Sequence, residues 1–360
     1  MGTATIPQRE GVPAAGSIRI PAAARSRALA GENGTVHSLA MQRFSVRILA
    51  CGLAIAGVHS QSLLAADLPP VVYRLSAPAP GAHLLEVEAT FPVEGRSSIE
   101  LRMARWSPGF YRVEDHAGKI QGLSARDASG AALSVEKTAD QRYRVSMTGP
   151  GKAPNAVIVT YTLLCEQRSV TTNWVSEDLA VLNGPATFLT LAESGPRAHE
   201  VHLELASTWK DAATALPASP DGQPHHYRAP DYDTLADSPI VAGSDIESRP
   251  FLVNGVRHVL VDVGPRPGWD ARRVVSDLER MAVASSRFWG TLPFPRYFFL
   301  NVFRPGGGGL EHRESTLLTT NAERVATPAG YARWLSFVSH EYNHAWNVKR
   351  LRPVELGPFD

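Results

Sequence analysis

Two histidines four residues apart, with a carboxylate directly after the first, form the segment of this sequence best equipped for chemistry: His340-Glu341-Tyr342-Asn343-His344. On a helix this spacing brings both imidazoles to one face about one turn apart. Held so, they can share one tetrahedral Zn2+ and leave room for a carboxylate and a water. Glu341 then points beside the metal and not at it, where it can take a proton from a water and pass it to a leaving amine. Zinc lowers the pKa of such a water to about 7, so a carboxylate suffices as the partner base. The pattern implies a zinc metallopeptidase with His340 and His344 as metal ligands and Glu341 as catalytic base. Two surface histidines at helical spacing would share the same five letters. Val338, Tyr342 and Trp346 favour the metal site, because they can bury the opposite side of the helix.

The third ligand is not supplied nearby. A metzincin pattern needs Gly three residues after His344 and His three further on, where Asn347 and Arg350 stand. A downstream carboxylate is the other solution. Glu355 and Asp360 are the carboxylates that remain, and both follow Arg352-Pro353, where the helix is expected to have ended. The ligand set is therefore expected to be completed from beyond Asp360. Thiolates do not help: of 2 Cys, one lies in an expected signal segment, and Cys165 alone can form neither an internal disulfide nor a thiolate zinc site.

The elements that must position these residues are of two kinds. From Pro70 to about Ser248, short apolar runs alternate with turn residues. Val201-His202-Leu203-Glu204-Leu205 alternates cleanly, and Val157 to Leu164 is nearly continuous and β-branched. This predicts a β-sandwich of roughly 170 residues. Within it, Trp106-Ser107-Pro108-Gly109-Phe110-Tyr111 reads as a turn whose aromatic rings pack on a sheet, a structural feature. After Gly243 strands and helices mix. A strand over Arg257 to Val263 leads to a helix N-capped by Asp270, with Val274, Leu278, Met281, Ser285 and Phe288 on one face and Gly290 as its stop. A second strand, Tyr297 to Phe303, runs into Gly306-Gly307-Gly308-Gly309. Leu310-Glu311-His312 follows, and then Ser315 to Thr320 as a candidate edge strand. Thr327 as N-cap and Pro328 as first helical residue open the helix that runs through Trp334 and Val338 to His344.

With 360 residues, 44% of them hydrophobic and 20% charged, the chain can bury ordinary cores, and its formal net charge of +1 offers no basic field for nucleic acid. Arg43 and Arg47, an apolar run from Ile48 to Val58 and the small residues Ala65-Ala66 have the order of a secretory signal. The run is too short to span a bilayer. The resulting expectation is a leader or misassigned start over 1–40, a signal over 41–66, a β domain over 67–248 and the beginning of a catalytic domain over 249–360. The mature chain would be periplasmic or secreted, with no stable membrane span. A buried helix is the alternative reading of the apolar run.

Residues 340–353, His-Glu-Tyr-Asn-His-Ala-Trp-Asn-Val-Lys-Arg-Leu-Arg-Pro, resemble the active-site segment of the glycyl aminopeptidase family, gluzincin peptidases that usually carry a C-terminal PDZ domain. Gly308-Gly309-Leu310-Glu311-His312 with Ser315-Thr316, the Trp106 to Tyr111 turn, and Tyr232-Asp233-Thr234-Leu235-Ala236-Asp237-Ser238-Pro239 resemble it too. The resemblance runs from about Val71 to Asp360. It implies an α+β fold: an N-terminal β-sandwich-like domain followed by the first part of a thermolysin-like zinc peptidase domain. It implies Zn2+ on His340 and His344, Glu341 as base, and a peptide with a free N-terminus as partner, its α-amine held by Glu311. Gly308 and Gly309 would let the backbone approach without a side-chain clash, and His312 would position or support. In the family the third zinc ligand is a Glu on a later helix, so the resemblance also implies an N-terminal portion that is inactive by itself. A zinc endopeptidase and a non-catalytic β-sandwich module are the competing readings. Residue preference and oligomeric state stay open.

Overall fold

The structure, a computed structural model, describes residues 68–147, 154–193 and 197–353. The expected leader and signal, and the candidate ligands Glu355 and Asp360, lie outside the described residues.

Alternation decides the first half. In Ala156–Leu164 every second residue is buried, and the strand pairs antiparallel with Leu84–Pro92 so that Leu85 faces Leu163 and Ala89 faces Val159. A period-2 pattern puts one row of side chains inward and the other toward water. Ten strands, several of them alternating this way, form one long curled sheet, in which Val71–Ser76 and His199–Glu204 run parallel. A second sheet of four strands contains Leu179–Leu182 and Ile240–Gly243. Tyr73, Leu85 and Val159 of the first sheet share one apolar cluster with Ala180, Leu182 and Ile240 of the second. Each large side chain buried there contributes roughly 1.5–3 kcal/mol. The short helix Tyr232–Ala236, capped by the Asp231 carboxylate accepting from the Thr234 N–H, leaves this layer at Asp237.

The second half is built on a five-stranded mixed sheet in the order Ile246–Val253, Val256–Val263, Arg296–Phe303, Ser315–Thr320, Gly308–Glu311. Its first strand begins at Ile246, just inside the residues expected to close the β domain. Helix Ala271–Trp289 makes the crossover that a parallel pair of neighbouring strands requires. Asp270 accepts from the N–H groups of Arg272 and Arg273, and Gly290 ends the helix in the left-handed region at φ 79°. Its buried stripe runs Val274, Leu278, Ala282, Ser285, Ser286. Phe288, expected on that face, is 80% exposed, because it sits at the margin of the stripe in the last turn.

The edge of this sheet also differs from expectation. Ser315–Thr320 is interior and buried at every residue, pairing parallel with Arg296–Phe303 and antiparallel with Gly308–Glu311. The glycine-rich segment folds back outside it, so Gly308–Glu311 is the edge strand.

The helix carrying the two histidines spans Pro328–Asn343, with Thr327 Oγ accepting from the Gly330 N–H at 3.1 Å. It stops one residue short of the expected end; His344 is the C-cap, still right-handed at φ −64° and ψ −18°. Tyr331, Trp334, Val338 and Tyr342 form its buried stripe and join Phe294, Tyr297 and Phe299 in one cluster. Two polar bonds set its rotation on the sheet: Trp334 Nε1–H donates to Thr320 Oγ at 3.0 Å, and the Tyr342 hydroxyl pairs with His258 Nε2 at 2.9 Å. No helix among the described residues is long and apolar enough to cross a membrane.

Candidate active site

The buried stripe of the motif helix leaves its other side for chemistry. His340 Nε2 and His344 Nε2 lie 3.0 Å apart. Two nitrogens bound tetrahedrally to one ion, each about 2.0–2.1 Å away, would stand ~3.3 Å apart, so a few tenths of an ångström of ring movement admits a metal. The tautomer is suitable as well. His344 Nδ1 is 3.0 Å from the Asn347 carbonyl oxygen, which can only accept, so Nδ1 carries the proton and Nε2 offers its lone pair. His340 is exposed, with its ring lying over Phe337.

Glu341 lies on the same helix and is only 4% exposed. Burial pushes its carboxyl up to about 7, and the nearby Glu311 carboxylate pushes the same way, against smaller opposing effects of His344 and Lys349. Glu311, Glu341 and His344 offer oxygen and nitrogen atoms that all lie within 4.8 Å of one another. Glu311 reaches this cluster from the last position of the edge strand, 6% exposed. It forms no ion pair among the described residues. Two buried carboxylates this close repel one another, which favours positive charge beside them.

Gly309 explains how strand and helix come so near. A Cβ there would stand 2.8 Å from the Phe337 ring and 3.1 Å from Glu341 Cγ, so the glycine is required by the helix beneath it. Gly308 has φ +149°, which any side chain would resist, and otherwise meets only Thr319 and Val170 at ordinary contact distances. His312 is buried, its Nδ1 2.9 Å from Asp237 Oδ1, while its Nε2 has no hydrogen-bond partner among the described residues.

Three contributors escaped the sequence reading. Asp237, at the end of helix Tyr232–Ala236, accepts from His312 Nδ1 and from Lys349 Nζ at 2.9 Å each, and through its other oxygen from the Arg313 N–H at 3.0 Å. Burial alone would raise its carboxyl, but the Lys349 ammonium and the His312 bond outweigh it and hold the group below the ordinary range. Lys349 follows the motif helix, is buried, and also donates to the Pro108 carbonyl at 3.1 Å. The third is the turn itself. Trp106 to Tyr111 was expected to be structural, packing on a sheet; instead Gly109 lies so close to Glu311 that a Cβ would meet its Oε1 at 2.6 Å. The signal that could have found these residues was the resemblance of both β-domain segments to a peptidase family, which a domain of purely structural purpose would not explain.

A second group, His202, Asp221 and His226, also holds three possible ligands within 4.8 Å. There the two rings stack face to face, centroids 3.8 Å apart, and Asp221 already bonds His226 Nδ1 at 2.7 Å. Their lone pairs do not converge, which leaves the helix as the better metal site.

Residues 72–244 match the family described as Peptidase M61 N-terminal domain, and residues 333–360 match the M61 glycyl aminopeptidase family. Among solved structures, the crystal structure of an aminopeptidase N family protein from Idiomarina loihiensis is similar, with a TM-score of 0.74 and 28% identity. The match covers 81% of this chain and 50% of that one, so the chain spans about half the length of this solved relative. No curated protein matches.

Proposed function

The chain belongs to the M61 glycyl aminopeptidase family, and on that footing we propose that it carries the catalytic helix and the amine-reading strand of a zinc aminopeptidase. His340 and His344 hold the ion, and a carboxylate outside the described residues completes its ligands. A bound zinc would polarise the scissile carbonyl and bring the attacking water's pKa to about 7. Everything else is work for the chain's own side chains. Asn347 keeps the His344 lone pair turned inward through its carbonyl. Glu341, with its carboxyl raised toward neutrality, takes a proton from the water and delivers it to the departing amine.

The observation that carries the aminopeptidase reading is Glu311: a buried carboxylate with no ion-pair partner among the described residues, at the end of an edge strand and beside the proposed base and metal ligand. An α-ammonium group seated there relieves the repulsion between the two carboxylates. The substrate backbone can then add to the free edge of Gly308–Glu311. Because its amine sits at the strand's last residue, the peptide runs antiparallel, from Glu311 toward Gly308. We place the protein in the periplasm or outside the cell on the segment from Arg43 to Ala66.

In the full-length protein, Glu341→Gln is expected to abolish release of the N-terminal residue while zinc still binds. Cleavage at the wild-type rate would remove Glu341 from the role of base. An N-acetylated peptide should be a poor substrate beside its free-amine twin; equal rates would exclude an aminopeptidase and favour an endopeptidase.

A further inference from the structure

We propose that the β-domain turn Trp106 to Tyr111 is the stop of the substrate cleft, and that it confines the site to the first residue of a peptide by filling the space behind Glu311. This inference rests on the aminopeptidase reading and goes beyond it, since it assigns the restriction to a segment of the other domain.

The contact is close on one side of the carboxylate. Gly109 has φ +97°, and a Cβ on it would lie 2.6, 2.7 and 3.0 Å from Glu311 Oε1, Cδ and Oε2. Only a hydrogen fits between that backbone and the carboxylate. Ligand atoms of Glu341 and His344 lie within 4.8 Å of the same carboxylate. A peptide lying antiparallel on the edge strand begins at Glu311, so a residue placed before the amine would have to pass the strand's end into the volume that the turn occupies.

The turn is also fastened. Phe110 N–H donates to the Ser107 carbonyl at 3.0 Å within the turn, and Glu114 N–H donates to the Arg105 carbonyl at 2.7 Å, joining its two flanks. The Glu114 carboxylate in turn accepts from Thr171 Oγ at 2.8 Å. The Trp106 and Tyr111 rings stack, centroids 5.9 Å apart. Pro108 accepts from Lys349, and Lys349 is bound to Asp237, which also holds His312 and Arg313. One buried carboxylate of the β domain therefore fixes three pieces relative to one another: the stop, the end of the strand bearing Glu311, and the segment after His344. Gly109 acts through Glu311, and Asp237 through His312, Arg313 and Lys349; both are positioning residues, and neither touches the reacting atoms.

The experiment compares a Gly-initiated peptide and its N-acetylated twin on the full-length zinc-loaded protein. Replacing Ser107 to Phe110 by two glycines should open the end of the cleft and raise the acetylated-to-free ratio of kcat/KM by roughly tenfold or more. A folded, zinc-loaded variant with the wild-type ratio overturns the proposal. Should that variant not fold, Gly109→Ala decides. Its Cβ must displace the Glu311 carboxylate, so KM for the free peptide should rise roughly 10- to 100-fold with kcat changed much less, the loss of a charge-assisted hydrogen bond; an unchanged KM overturns the proposal. Wild-type protein that cleaves both peptides equally would instead sink the aminopeptidase reading itself, a different result from either failure above.

Discussion

Replacing Glu311 by Gln removes one charge and almost no volume, and its effect can be worked out from the site. Glu311 is buried, beside Glu341 and His344, and forms no ion pair among the described residues. A unit charge pair at about 4 Å is worth about 4 kcal/mol at an effective dielectric of 20. Much of that is offset, since the substrate's ammonium loses its water on entering. A charge-assisted hydrogen bond nets about 1.5–3 kcal/mol, so Glu311→Gln should lower kcat/KM for a free-amine peptide by roughly 10- to 150-fold. The N-acetylated twin carries no ammonium and should lose almost nothing. The assay is therefore a two-by-two cycle of wild type and variant against free and acetylated peptide, which isolates the pairwise interaction from any general disturbance. A coupling near zero, with both peptides losing the same factor, would refute the assignment of Glu311 to the amine, whatever the overall loss.

Two further outcomes follow from contacts around the site. Gly309→Ala puts a Cβ at 2.8 Å from the Phe337 ring, an overpacking that should cost about 1–3 kcal/mol in denaturant unfolding. Phe337→Ala in the same chain should recover most of it, and absence of recovery would mean the clash lies elsewhere. For Asp237, the folded pKa lies below the unfolded value of about 3.9. Its stabilisation is therefore present above the unfolded pKa and is lost as pH falls through the folded one. Asp237→Asn strands the buried Lys349 charge and should cost about 3–5 kcal/mol near neutral pH. The difference between variant and wild type should shrink on acidification below about pH 4. A difference that stays constant down to pH 3 would show that the carboxylate's charge is not what the clasp depends on.

Much of the chemistry was legible locally. The spacing of His340, Glu341 and His344, the N-caps Asp270 and Thr327, and the stop at Gly290 are written within a few consecutive residues, and helical geometry converts that spacing into a face or an end. Alternation in Ala156–Leu164 likewise announced a strand with one buried side. The order of strands was not legible. Ser315–Thr320 and Gly308–Glu311 both read as apolar or open segments, and which of them forms the edge depends on how the glycine-rich segment folds back, a matter of pairing and not of composition.

The sequence by itself determined the candidate metal-binding pair, the candidate base and the family resemblance, because each is a short-range pattern of residue types. Only the tertiary structure decided what surrounds them. Lys349 meets Asp237 across 112 positions and Pro108 across 241, and Gly109 presses on Glu311 from the other domain. No local periodicity encodes such meetings. They arise because the cores of the two domains hold the short helix Tyr232–Ala236, the turn at Gly109 and the end of the edge strand in one place, where buried charges must find partners.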